Sequence, residues 1–166
     1  MDIRVRKAKK ADVDVLYDIK YKSSTALLAS LGHSLDEIAA WQDRFCTREY
    51  LISHVKAPHA MYVVEQGGEV MGMAGLTLKD DGDDSICYFN SLYCLENAVG
   101  LGYGSRLTEH RLGVTENFNI DFIQCHVHGK NEKAQRFVEH YGFEKHGLYT
   151  EPRLRTENIV YRRIAE

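Results

Sequence analysis

The stretch Ser91–Leu107 does most to limit what this chain can fold into. It reads Ser-Leu-Tyr-Cys-Leu-Glu-Asn-Ala-Val-Gly-Leu-Gly-Tyr-Gly-Ser-Arg-Leu. An apolar, strand-like run ends near Leu95, Gly100, Gly102 and Gly104 alternate, and a helical pattern begins at Ser105. Alternating glycines let successive backbone N–H groups turn to one side with no Cβ in the way. The N-terminus of the following helix adds unpaired N–H groups and the positive end of its dipole. Together these features describe a cradle for an anion such as a phosphate or pyrophosphate. On the glycines alone, a closely packed strand-to-helix turn fits as well.

Two phosphate loops are excluded by the letters. The Walker loop ends in Gly-Lys-Ser/Thr, whereas Gly104 is followed by Ser105 and Arg106. The dinucleotide fingerprint Gly-x-Gly-x-x-Gly sits near the first strand of a doubly wound sheet. Counted from Gly100, its third glycine falls at Ser105, and the stretch comes late in the chain.

The 166 residues suit one domain, 1–166, with a full-sized core. A formal net charge of −3 argues against sequence-independent binding to nucleic acid. The small basic clusters at Lys7, Lys9, Lys10 and at Arg153, Arg155, Arg162, Arg163 read as solvated faces. Cys46, Cys87, Cys94 and Cys125 form no Cys-x-x-Cys pair, so they read as free thiols in a reducing compartment rather than zinc ligands. The N-terminal residues alternate charge and aliphatic groups, with no apolar signal core and no run of membrane-spanning length. A cytoplasmic protein is expected, with neither nucleic acid nor membrane as a partner.

In order, Asp2 to Ala8 alternates as a half-buried strand. Ala11 to Tyr21 has helical spacing, and Ser23 to Gly32 fits either a helix or a mobile loop. Ser34-Leu35-Asp36-Glu37 is a capping box opening a helix, and Thr47 caps a short one ending before Pro58. Met61 to Glu65, Glu69 to Lys79 and Ser85 to Leu95 read as a meander, with a tight turn at Gly67-Gly68 and a solvated tip at Asp80–Asp84. A helix runs from the cradle to about Asn117, and Ile120 to His128 is a strand. Asn131 opens a helix with Ala134, Phe137, Val138 and Tyr141 on one stripe, ended by Gly142. Phe143 to Tyr149 and Thr156 to Ile164 close the chain as a hairpin. The order β-α-α-β-β-β-α-β-α-β-β describes a mixed α/β (α+β) sandwich around one sheet.

Two motifs now coincide with that order. Val99-Gly100-Leu101-Gly102-Tyr103-Gly104 follows Leu92-Tyr93-Cys94, and Asn131 with Ala134 precedes Gly142-Phe143 and Glu144-Lys145-His146-Gly147. In sequence and separation these resemble the two cofactor motifs of the GNAT superfamily of acyl-CoA-dependent N-acetyltransferases, over nearly the whole chain. The resemblance implies a mixed, mostly antiparallel sheet flanked by helices and splayed between its fourth and fifth strands. It implies acetyl-CoA as cosubstrate, no metal, and direct acetyl transfer to a primary amine on a small molecule or peptide. The backbone of Tyr93, Cys94 and Leu95 would hold the pantetheine arm, which carries amides and can bond to a strand edge. The cradle of Gly100, Leu101, Gly102, Tyr103, Gly104 and Ser105 would hold the pyrophosphate. Asn131 would contact the arm, with Ala134 and Phe137 lining its path. A homodimer is common among such proteins.

Two departures stand out. Val99 occupies a position where the family carries Gln or Arg, which removes one donor. Val138 stands where many members carry the tyrosine that protonates the leaving thiolate; Tyr141, three residues on, is the nearest phenol of that stripe. The acceptor ammonium must lose a proton before attack. His126 and His128 alternate onto one face of the fifth strand and titrate in the right range, which makes His126 a candidate base; Glu96 is another. Cys94 has no activating partner in the sequence and is not read as a nucleophile. The alternative to an enzyme is a catalytically silent acyl-CoA-binding module. The acceptor pocket falls to about Tyr17 to Trp41 and the late hairpin, with Tyr21, His33 and Trp41 as either pocket or packing residues.

Overall fold

The computed structural model describes residues 2–56 and 58–165. The sheet contains β1 (Ile3–Lys7), β2 (His59–Gln66), β3 (Glu69–Asp81), β4 (Asp84–Cys94), β5 (Phe122–His128), β6 (Glu144–Glu151) and β7 (Thr156–Ile164). Their spatial order is β1-β2-β3-β4-β5-β7-β6. Every neighbouring pair is antiparallel except β4 and β5. The helices are α1 (Val13–Ser30), α2 (Leu35–Phe45), α3 (Arg48–Val55), α4 (Tyr103–Thr115) and α5 (Glu132–His140). None of the described helices is long and apolar enough to cross a membrane.

Local chemistry accounts for most boundaries. Gly67 and Gly68 both take positive φ, as a two-residue hairpin with matched twist requires. The Ser34 hydroxyl accepts from Glu37 N, and the Glu37 carboxylate accepts from Ser34 N, which starts α2. The Thr47 hydroxyl accepts from Tyr50 N and starts α3.

The three helices read before β2 are all present, one more than the order β-α-α-β counts there. Within the open stretch Ser23–Gly32, α1 continues to Ser30, and Ser24, Thr25 and Ser30 donate their hydroxyls to carbonyls three or four residues back. Ser24 and Leu28 thereby extend the buried stripe of Leu16 and Lys20. Three basic residues also depart from expectation: Arg153 donates to Glu151 Oε1, Arg163 donates to Tyr141 O, and Arg162 is held by two partners. Arg162 is not a solvated charge: its side chain donates to Gln124 Oε1 and Asp81 Oδ2.

Alternate residues of the sheet feed two cores. Met61, Val63 and Met73 pack with Leu16, Ile19 and Leu51 on the face covered by α1 and α3. Tyr62, Val64, Ala74 and Leu76 pack with Leu107, Val127 and Phe143 on the other. A third, small cluster joins Leu28, Ile38 and Leu154, tying the β6–β7 turn to α1 and α2.

The site follows from one irregularity. β4 and β5 pair only from Ile86↔Phe122 to Tyr88↔Gln124. Beyond that, β4 bulges: Asn90 pairs Gly75 and Tyr93 pairs Met73, so Ser91 and Leu92 both lie opposite Ala74. Ser91 takes φ 55, a left-handed conformation uncommon outside glycine. The two strands separate at this point and leave a gap in the sheet.

Candidate active site

The gap opens into a cavity of about 270 Å³. Phe89–Tyr93 of β4 and Cys125–His128 of β5 form its sides. Asn131, Ala134, Phe137, Val138 and Tyr141 form one wall; Ser24, Leu27, Leu28, Trp41 and Leu154 form another. Among the described residues no carboxylate lines it.

The glycine stretch lies at the N-terminus of α4. Gly102 is the N-cap, at φ 86, and no side chain caps the helix. Its first turn carries no acidic residue. The first-turn N–H groups therefore have neither an intrahelical acceptor nor a capping side chain, and a Cβ at Gly100 or Gly102 would meet no atom within 4 Å. That arrangement fits an anionic group held by backbone donors. Tyr103 contributes only its backbone, since its buried ring sends the hydroxyl to Gln66 Oε1.

The expected arm residues divide. Tyr93 lines the cavity, with its phenol pushed well above its ordinary range by burial. The Cys94 carbonyl accepts from Ser23 Oγ, while burial raises its thiol. The Leu95 N–H is committed to Met71 O, on the side of β3. Asn131 lines the cavity and caps α5, its Oδ1 accepting from Ala134 N. Val138 and Tyr141 both line the cavity, and the Tyr141 hydroxyl donates to Glu109 Oε1 at 3.3 Å. Glu96 lies in a short 3-10 turn and is exposed.

Both β5 histidines border the cavity, in different company. His126 sits near Tyr88 and Tyr149, and Gln124 Nε2 donates to its Nε2 at 3.3 Å. Burial and then Lys79 hold its pKa below the usual histidine value. His128 Nε2 lies 2.7 Å from His33 Nε2, and its Nδ1 accepts from Lys130 N. That fixes a tautomer: His128 Nε2–H donates to His33 Nε2, leaving His33 Nδ1–H to face Glu37 Oε1 at 3.6 Å. Burial, His33 and Lys130 lower the His128 pKa, so its ring is neutral near pH 7.

Two buried cations brace the bulge, one from each face. Arg111 of α4 donates to Gly75 O and more weakly to Asn90 O, across the bulge. Burial lowers its pKa to about 10, which leaves it charged at neutrality. A Cβ at Gly75 would meet Asn90 Oδ1, so the Asn90 amide would have to move to admit one. Lys20 of α1 donates to Ser91 Oγ at 3.2 Å. Neither cation was singled out by the sequence motifs, yet both follow helical spacing: Lys20 lies four residues after Leu16, and Arg111 four after Leu107. His33 was expected only as a pocket or packing residue, and Glu37 only as a cap.

Tyr21 is exposed and lies outside this cavity, near Gln42 and Cys46. Among the described residues no group of His, Cys, Asp or Glu could hold a metal ion.

The profile of the acetyltransferase (GNAT) family matches residues 26–143. No curated protein matches the chain in sequence. Several solved structures share the fold at low identity. The PaiA N-acetyltransferase from Thermoplasma acidophilum, in complex with coenzyme A, superposes at TM-score 0.82 with 15% identity, covering 99% of each chain. The ribosomal-protein-S18-alanine N-acetyltransferase from Escherichia coli gives 0.72 and 14%, covering 99% of this chain and 95% of that one. Mutant forms of the spermidine/spermine N-acetyltransferase SpeG from Vibrio cholerae give 0.71 and 16%, with 98% and 94% covered.

Proposed function

Because the chain belongs to the acetyltransferase (GNAT) family, we propose that it moves the acetyl group of acetyl-CoA directly to a primary amine. The observation that carries this reading is the gap between β4 and β5 beside an uncapped, glycine-started helix. The backbone from Gly100 to Ser105 holds the pyrophosphate. The arm runs along β4 at Tyr93 and Cys94, with Asn131, Ala134 and Phe137 opposite. The thioester supplies an activated acyl group with a good leaving thiolate.

The acceptor enters between α1, α2 and the β6–β7 turn. An ammonium with a pKa of ~10 must first lose a proton. His128 Nδ1 takes it, giving up the bond from Lys130 N, as its Nε2–H passes to His33 Nε2; the resulting His33 imidazolium faces Glu37. His126, held by Gln124 between two tyrosines, then serves as a wall rather than as the base. Tyr141 leaves Glu109 to return a proton to the thiolate. The absence of a lining carboxylate among the described residues, together with Trp41, Leu27, Leu28 and Leu154, favours an amine on an apolar or aromatic group over a polycation.

The fold relatives named above include enzymes for a protein amino group and for polyamines, so the test is a panel. Acetyl-CoA is incubated with an arylalkylamine, a peptide with a free α-amino group, and spermidine, following thiol release and product mass. Turnover with the apolar amines and little with spermidine is expected. Stabilisation by CoA with no turnover on any amine would favour a binding module instead.

A further inference from the structure

Lys20 is 2% exposed, and among the described residues its hydrogen-bond partner is Ser91 Oγ alone. Among the described residues no carboxylate accompanies it. Its ammonium lies over the rings of Tyr50 at 4.5 Å, Trp41 at 5.7 Å and Tyr93 at 6.0 Å, with the Cys46 thiol nearby. A buried, unpaired lysine is costly to keep, and so is a serine at positive φ. Here the two costs meet on one hydrogen bond. Ser91 also sits in the β4 bulge, beyond the last β4–β5 pair Tyr88↔Gln124, and it lines the cavity that Lys20 itself does not reach. A half-buried hydroxyl in a cavity, backed by a buried amine, is the arrangement of a serine–lysine nucleophile and base.

We propose that Ser91 and Lys20 form such a pair, giving the protein a second activity: amine-independent hydrolysis of the acyl thioester through an acetyl ester on Ser91. Neutral Lys20 takes the Oγ proton as Oγ bonds to the thioester carbonyl carbon. The C–S bond breaks and the thiolate departs, while the proton stays on Lys20. Water then attacks the ester carbon, Lys20 returns its proton to the leaving Oγ, and the released carboxylic acid, protonated by the water it has taken up, gives that extra proton to the thiolate. The sum is thioester plus water giving carboxylic acid plus thiol. Burial lowers the Lys20 pKa to about 8, so a fraction of the pair is competent at neutrality and the rate rises as pH passes that value. The groups facing Lys20 are the Cys46 thiol, the Tyr50 and Tyr93 phenols and the Ser91 hydroxyl; burial raises the first three above their ordinary values, so they stay uncharged through that range.

The inference rests on acyl-CoA entering the cavity, but not on any amine. The experiment therefore supplies acetyl-CoA alone and reads thiol release, protein mass after acid quench, and CoA affinity by calorimetry. Wild type should release thiol in the absence of amine and carry one acetyl group on Ser91, removable by hydroxylamine. Ser91→Ala should lose the adduct and lower thiol release by roughly 10²-fold or more, with CoA affinity retained. Ser91→Gly, which suits the left-handed backbone, guards against misfolding and should behave alike. Lys20→Met and Lys20→Arg should both be slow, because neither supplies a neutral amine. Thiol release unchanged in Ser91→Gly, no release by wild type that binds CoA, or an acetyl group found on Lys20 would each overturn the pair. Failure of wild type to bind CoA would overturn the reading of the cavity as well.

Discussion

The proposed anion cradle and the cavity are built from different materials. The cradle is backbone: Gly100 to Ser105, contiguous in sequence at the start of α4 and outside the residues that line the cavity. The other part, around the cavity, is side chains brought from far apart. Lys20 meets Ser91 across 71 positions, His33 meets His128 across 95, and Leu154 reaches Leu28 and Ile38. The difference teaches where each function can be altered. Backbone donors are removed only by changing the chain's path or filling the space beside it, whereas side-chain chemistry is removed one residue at a time.

The largest effect should come from the cradle. Gly102→Glu forces a Cβ and a carboxylate onto a φ 86 position beside the proposed anion site. CoA affinity should fall by roughly 10³-fold, while the unfolding midpoint drops only slightly, at ~1 kcal/mol of strain. A calorimetric titration with unchanged affinity would erase the distinction between the two parts.

The other part should respond with stability as well as rate. The folded pKa of Lys20, about 8, lies below its ordinary 10.5. Between those values the unfolded chain binds more protons, so stability rises with pH across that window and carries a penalty below it. Removing the charge with Lys20→Met should stabilise the protein at pH 7 by ~2 kcal/mol, after the aromatic contacts offset part of the desolvation. Urea unfolding should show that gain shrinking towards zero near pH ~10. A pH-independent gain would mean that packing, not charge, is what changed.

Tyr141→Phe sharpens the comparison from the α5 wall. If its hydroxyl serves the leaving thiolate, turnover should fall by roughly 10²-fold with CoA affinity intact. Full turnover would return Tyr141 to rim packing, with solvent as the acid. The smallest effect is expected at Asn131→Ala. The lost cap costs ~1 kcal/mol of stability, and CoA affinity should weaken alongside if Asn131 also touches the arm. A fall in melting temperature alone would leave it a cap.

This contrast also explains what could be read from the sequence. The glycine-started helix at Gly102 was legible because glycine alternation followed by helical spacing acts locally, and so were the Gly67-Gly68 turn and the Ser34 capping box. The splay of β4 and β5 was legible only through resemblance. Nothing in Ile86–Cys94 announces a bulge at Ser91, which depends on Gly75, Asn90 and Arg111 meeting across two strands and a helix. The Lys20 position was half legible: its place on the stripe of Leu16 marks it as inward, but its partner does not. His126 and His128 were recognised as one face of a strand. What separates them, His33 approaching His128 and Gln124 capping His126, is tertiary.

The central claim is that acetyl-CoA occupies the gap between β4 and β5, with its phosphates at the start of α4. Amide hydrogen exchange with and without CoA tests this most directly. Slower exchange is predicted at residues 101–106 and along residues 88–94 of β4, with β1 and α3 unchanged. Protection absent from both segments, or confined to the groove between α2 and α3, would contradict it.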